Sequence, residues 1–125
     1  MTVPRDGARR YRELAVATAS RGQGLVLLHE AMLLDLAHAA AALDAGDAAA
    51  RTAAIARVQA ILVELVVSLD HGVDPAFSAT LEDLYHFAIA ELVRADAEVS
   101  RARLRDVDGI LRTLLEGWRA VVAPH

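Results

Sequence analysis

Glycine and proline are too scarce in this chain to punctuate a sheet. The 125 residues hold 7 and 3 of them, and both gather where a helix would stop: Gly46 before Asp47, and Gly72 and Pro75 within "HGVDP". The stretches between are rich in alanine and leucine, the residues that cost least in a helix. Four helical segments result. The first opens at "SRGQ", where Ser20 and Gln23 have capping-box spacing, and stops at Gly46. The second is capped by Asp47 and ends around Asp70. The third begins near Asp74-Pro75 or Ser78, and the fourth starts after Asp96 and reaches about Val122. Short connections make neighbours antiparallel, so the expected class is all-α, an antiparallel up-down four-helix bundle. Residues 1–19 form an N-terminal arm or short helix, and residues 20–122 form the bundle as a single domain, the size one core supports.

Composition narrows the function. With 55% hydrophobic residues, a membrane span must be considered, yet no uncharged run approaches the roughly 18–20 residues that one needs. "MTVPRDGARRY" is not followed by the apolar core of a signal peptide, so the protein is expected to stay in the cytoplasm. Cysteine is absent, which removes thiolate metal sites and cysteine nucleophiles. A net charge of -4 argues against nonspecific nucleic-acid binding. The one basic cluster, "RARLR" from Arg101 to Arg105, reads as a solvated helix face.

Helical periodicity then exposes an imbalance. The fourth segment has one inward stripe, Leu104, Val107, Leu111, Leu114, Trp118 and Val121, opposite a polar face. The second has an inward stripe of Ile55, Val58, Leu62, Leu65 and Leu69, but also an outward line of Ala56, Ala60, Val63 and Val67. The first repeats the arrangement: Leu25, Leu28, Met32, Leu36, Ala39 and Leu43 point inward, while Leu27, Ala31, Leu34 and Ala41 point nearly opposite. A four-helix bundle has one central core. The second seams must meet the N-terminal arm, another copy of the chain or a different protein, because contiguous apolar patches mark binding surfaces.

Catalytic chemistry finds no footing. The pairs Asp35/His38 and Glu82/His86 share helix faces, but Glu-x-x-His, the signature of a di-metal bundle, does not occur. The five histidines are therefore expected at the surface, with no metal and no cofactor. Gly-x-Ser-x-Gly is absent and "GQG" lacks the further glycine and the strand of a dinucleotide loop. No catalytic residue is assigned. Tyr11 lies outside the bundle helices, free to dock in a groove, and Trp118 is read as core.

The ordered set Tyr11, "TAS" at 18–20, "LVLLHEAMLLDLAHA", "GD" at 46–47, "IARVQAILVELVVSLD", "LEDLYHF" and "LLEGWRA" resembles the flagellar secretion chaperones of the FliS family from about Tyr11 to Val121. The resemblance implies a cytoplasmic helical bundle that binds the C-terminal region of flagellin, keeps it unpolymerised and aids its delivery to the flagellar type III export gate. Helix-in-groove recognition of such a tail requires outward apolar seams. The family's recurring early Tyr matches Tyr11, and its Leu-Tyr in the third helix matches Leu84 and Tyr85. The expected contact set is thus Tyr11, Leu27, Leu34, Ala56, Ala60, Val63, Val67, Leu84 and Tyr85. Two departures stand out: Arg21-Gly22-Gln23 replaces the family's Pro-Glu-Glu after "TAS", and Leu28-His29-Glu30 replaces Leu-Tyr-Asp. The competing reading is a structural bundle that buries the same seams in a homodimer, with no flagellin client.

Overall fold

The computed structural model describes the backbone of residues 3–123 and the side chains of residues 21–123. Four helices follow in order: α1 (Val3–Ala45), α2 (Ala48–Val67), α3 (Pro75–Glu98) and α4 (Arg101–Val122). Each packs against two neighbours in a closed ring, α1 on α2 and α4, α3 on α2 and α4, so that α1 and α3 stand diagonally opposed. Ion pairs fix the antiparallel sense. Glu30 meets Arg119 and Asp44 meets Arg101 between α1 and α4, so rising numbers on one helix meet falling numbers on the other. Asp35–Arg57 joins α1 to α2, Arg51–Asp96 joins α2 to α3, and Glu91–Arg103 joins α3 to α4.

Two of the helix boundaries share one construction. Gly46 takes a left-handed φ of 70°, and the N–H groups of Gly46 and Asp47 donate to the carbonyls of Leu43 and Ala42, which closes α1 as a Schellman motif. Asp47 then caps α2 at once, its carboxylate accepting from the Ala50 N–H at 3.0 Å. At the other hairpin Val99 is left-handed, with φ 52°. The Ser100 N–H donates to the Ala95 carbonyl at 2.9 Å, and the Ser100 hydroxyl accepts from the Arg103 N–H. A β-branched residue in that conformation is strained by about 1–2 kcal/mol. Val99→Gly is expected to raise stability by about 1 kcal/mol, after the entropic cost of glycine is allowed for. A urea-unfolding midpoint above that of the wild type would bear this out; an unchanged midpoint would show the strain to be relieved by packing.

Asp74 caps α3 by accepting from the Phe77 N–H at 3.1 Å, with Pro75 at the first position, as expected. The start of α1 is corrected. Ser20 does not begin the helix: its backbone runs unbroken from Val3, and residues 3–19 are its first part. Gly22 sits inside the helix because a β-carbon there would fall 2.5 Å from Cγ1 of Val122. Close approach of α1 to the end of α4, not helix initiation, is what this glycine serves.

The core fills from Met32, Leu36 and Ala39 of α1, Ile55, Val58 and Leu62 of α2, Leu81, Tyr85, Ala88 and Leu92 of α3, and Leu104, Val107 and Leu111 of α4. The inward stripes of α1 and α2 are as read from periodicity at their centres, while Leu25, Leu28 and Leu43 of α1, and Leu69 just past the end of α2, pack half-buried against the core. That of α4 is corrected at its C-terminal end: Leu115 is buried, Leu114 and Trp118 are half-buried and Val121 is exposed. Arg21–Ala45 is long and apolar enough to cross a membrane by length and composition. Its apolarity has a simpler cause: one face lines the core, and another carries the outward seam.

Candidate functional site

The outward lines of α1 and α2 are bare. Leu27, Leu34, Val63 and Val67 are 66%, 60%, 50% and 79% exposed, and Ala56 and Ala60 are exposed beside them. The same helices already fill the core from their inner faces, so these side chains add nothing to the interior. The Asp35–Arg57 pair, 3.0 Å apart, crosses between the two helices. His38 lies 3.7 Å from the Asp35 carboxylate, which leaves a polar strip between apolar lines.

Leu84 lies elsewhere. It lines an open groove of about 460 Å³ between α3 and α4, with Gly109, Ile110, Thr113 and Leu114 on its floor and Arg105 and Asp106 at one end. A second, smaller hollow of about 190 Å³ is walled by Phe77, Gly117, Trp118 and Val121 and shares Thr113 and Leu114 with the first. The two hollows adjoin at Thr113 and Leu114 and together make a largely apolar channel along this side of the bundle. Beta-carbons at Gly109 and Gly117 would meet nothing within 4 Å. Helical glycines each cost about 1 kcal/mol relative to alanine, and here the effect is a channel floor of bare backbone. The sequence reading missed this channel. The two glycines on α4 were its only local signal, and Phe77 and Val121 became visible as its walls only once α3 and α4 were placed side by side.

Tyr85 does not reach either surface. It is 1% exposed, in the centre of the core, so its place is structural; the Tyr11 side chain lies outside the described residues. The expectation of surface histidines is likewise corrected for His29, which is fully buried. Its Nδ1 lies 2.8 Å from the Leu25 carbonyl, which must accept, so Nδ1 carries the proton and Nε2 is left to accept from the Tyr85 hydroxyl at 3.4 Å. Burial holds the His29 pKa below the ordinary imidazole value, with the bond to the Leu25 carbonyl acting the other way. Burial pushes the Tyr85 hydroxyl up to about 12, and the Trp118 N–H opposes this. The remaining paired histidines are exposed: His71 and His86 both approach Glu82, at 3.2 and 3.6 Å. Among the described residues no group of three His, Cys, Asp or Glu side chains is placed to hold a metal ion. The arrangement offers apolar surface rather than a reaction centre.

The family model described as flagellar protein FliS matches residues 5–125. The chain belongs to the FliS family. Among its relatives, a flagellar secretion chaperone FliS of Campylobacter jejuni is 32% identical over 95 residues, 76% of this chain and 74% of the relative. Proteins of the same description from Bacillus subtilis and Salmonella typhimurium are 23% and 26% identical. Those two alignments cover 90% and 87% of this chain, and 83% and 82% of the relatives. FliS membership accords with the helical bundle and with the ordered motifs that suggested it.

Proposed function

We propose that this FliS-family protein is a cytoplasmic export chaperone for flagellin. It binds the C-terminal helical region of flagellin, keeps it from polymerising prematurely and aids its delivery to the flagellar type III export gate. The observation that carries this reading is the second apolar seam on α1 and α2, exposed while the core is already full. An amphipathic segment that is unfolded when free gains most by laying its apolar face on such a surface. The residues proposed to receive it are Leu27, Leu34, Ala56, Ala60, Val63 and Val67, with Leu84 serving the α3/α4 channel and Tyr11 contributing from the first part of α1.

The test mixes the protein with the flagellin of its own organism and follows the pair by size-exclusion chromatography. Co-elution is expected with full-length flagellin and not with flagellin truncated at its C-terminal region. Flagellin that elutes apart from the protein would overturn the reading. If the free protein instead shows a mass that rises with concentration to a dimer, the seams are used between copies.

A further inference from the structure

We infer that His29 is a proton-sensitive latch: neutral, it ties α1 to α3 across the diagonal of the bundle through Tyr85, and protonated, it releases the loop end and the Trp118 wall of the α3/α4 channel. The geometry rests on a chain of contacts with one polarity. Nδ1–H of His29 is committed to the Leu25 carbonyl at 2.8 Å, so Nε2 must be the acceptor for the Tyr85 hydroxyl. A second proton would turn Nε2 into a donor facing a hydroxyl that now donates to it. The bond would have to reverse, and a cation would be left inside the core, where an unpaired charge is costly.

The surroundings give that cation nowhere to go. Among the described residues His29 forms no ion pair with a carboxylate, and several charged groups on the elements around it are engaged elsewhere. Glu30 on α1 holds Arg119 of α4. Asp70, after α2, bonds the Gly72 N–H at 2.9 Å, and its carbonyl takes the Ser78 hydroxyl at 2.8 Å. Glu82 on α3 faces His71 and His86. On α4 the neighbour is Trp118, its ring centroid 6.3 Å from that of His29.

Trp118 makes the latch consequential. Its ring lies 6.5 Å from Phe77 in the channel wall. It also borders a cavity of about 180 Å³ under the α2–α3 loop, together with Leu25, Leu69 and Tyr85. Its indole N–H is buried and makes no hydrogen bond of normal geometry among the described residues, the Tyr85 hydroxyl being an acceptor it reaches only loosely. An indole with an unsatisfied donor and a cavity beside it is weakly held, so loss of the His29–Tyr85 tie frees the whole corner.

Proton linkage sets the sign. A folded-state pKa below the unfolded 6.5 means that the unfolded chain binds more protons. The stabilisation is fully present above pH 6.5 and is lost as pH falls below it, by up to about tenfold in the opening equilibrium per pH unit. Trp118 is the only tryptophan, so its fluorescence reports the corner directly. In the full-length wild type, emission is expected to red-shift between pH 7.5 and 5 with a midpoint below 6.5. His29→Gln, which keeps an acceptor for Tyr85 but cannot titrate, should abolish the shift, while Tyr85→Phe, which lacks the tie at every pH, should show the red-shifted emission already at pH 7.5. The inference is overturned if wild-type emission is constant down to pH 5 or if His29→Gln shifts like the wild type. Should either variant fail to fold, the ring-proton NMR titration of His29 in the wild type decides. A midpoint below 6.5 that tracks the Trp118 signal supports the latch, and one at or above 6.5 sinks it.

Discussion

Val63→Asp combined with Val67→Asp is expected to abolish flagellin binding while leaving the bundle folded. Both side chains are outward and at least half exposed, and surface substitutions away from packed or capped positions usually change stability by no more than about 0.5 kcal/mol. Against a docked apolar helix the same carboxylates would be buried without partners. A central interface position commonly costs at least about 2 kcal/mol when spoiled, roughly 30-fold in affinity, and two adjacent ones more. Val67 is the last residue of α2, where a negative charge opposes the helix dipole by about 0.3–1 kcal/mol. Val67→Lys separates the two effects: the lysine suits the helix end yet is equally unwelcome beneath an apolar partner. Isothermal titration with flagellin, alongside circular dichroism, is the measurement. Wild-type affinity in the double aspartate variant would remove the outer line of α2 from the site, and unfolding would show that line to be core.

How far the sequence alone reaches differs between elements for identifiable reasons. Caps at Asp47 and Asp74 were readable because a short acceptor side chain stands beside glycine or proline, so chemistry and position agree. The α3–α4 boundary was read too early, at Asp96, because its left-handed residue is Val99, and nothing in a valine announces a positive φ. Ser20 has every local mark of a cap, but the segment before it is equally helical in character, and Gly22 answers to Val122 on another helix. Periodicity alone carries no such information.

The inward and outward faces of α1 and α2 were legible because they depend only on the turn angle of one helix. The α3/α4 channel was not, because it is a property of two helices at once. Leu84 was assigned from resemblance and lines that channel, whereas Tyr85, its neighbour, turns into the core to meet His29. Adjacent residues on a helix differ by about 100°, so the two halves of a two-residue motif can face different surfaces, as Leu84 and Tyr85 do. His29 shows the same limit from the other side. Histidine is only intermediate in its tendency to be buried, and what accommodates this one in the core is a hydrogen-bond donor, the Tyr85 hydroxyl, 56 positions away.

Leu62→Ala is expected to cost about 2–5 kcal/mol of folding stability, the range for removing a large aliphatic side chain from a closed core. Leu62 is completely buried and belongs to the central cluster. Its neighbours there, Val58 and Ile55 on its own helix among them, are held by an interior built from four helices at once, so the cavity cannot easily collapse. With typical domain stabilities of about 5–15 kcal/mol, such a loss should lower the urea midpoint markedly, with an unchanged slope if unfolding stays two-state. A cost under about 1 kcal/mol would mean that the bundle repacks and that its interior is looser than its burial suggests. The comparison with Val63→Asp makes the measurement diagnostic. These two positions are consecutive in "ILVELVVSLD", yet one is expected to decide whether the bundle stands and the other whether it binds. A helix with two apolar faces allows that separation only if its inner face alone suffices for folding, so stability and binding should respond to opposite members of the pair.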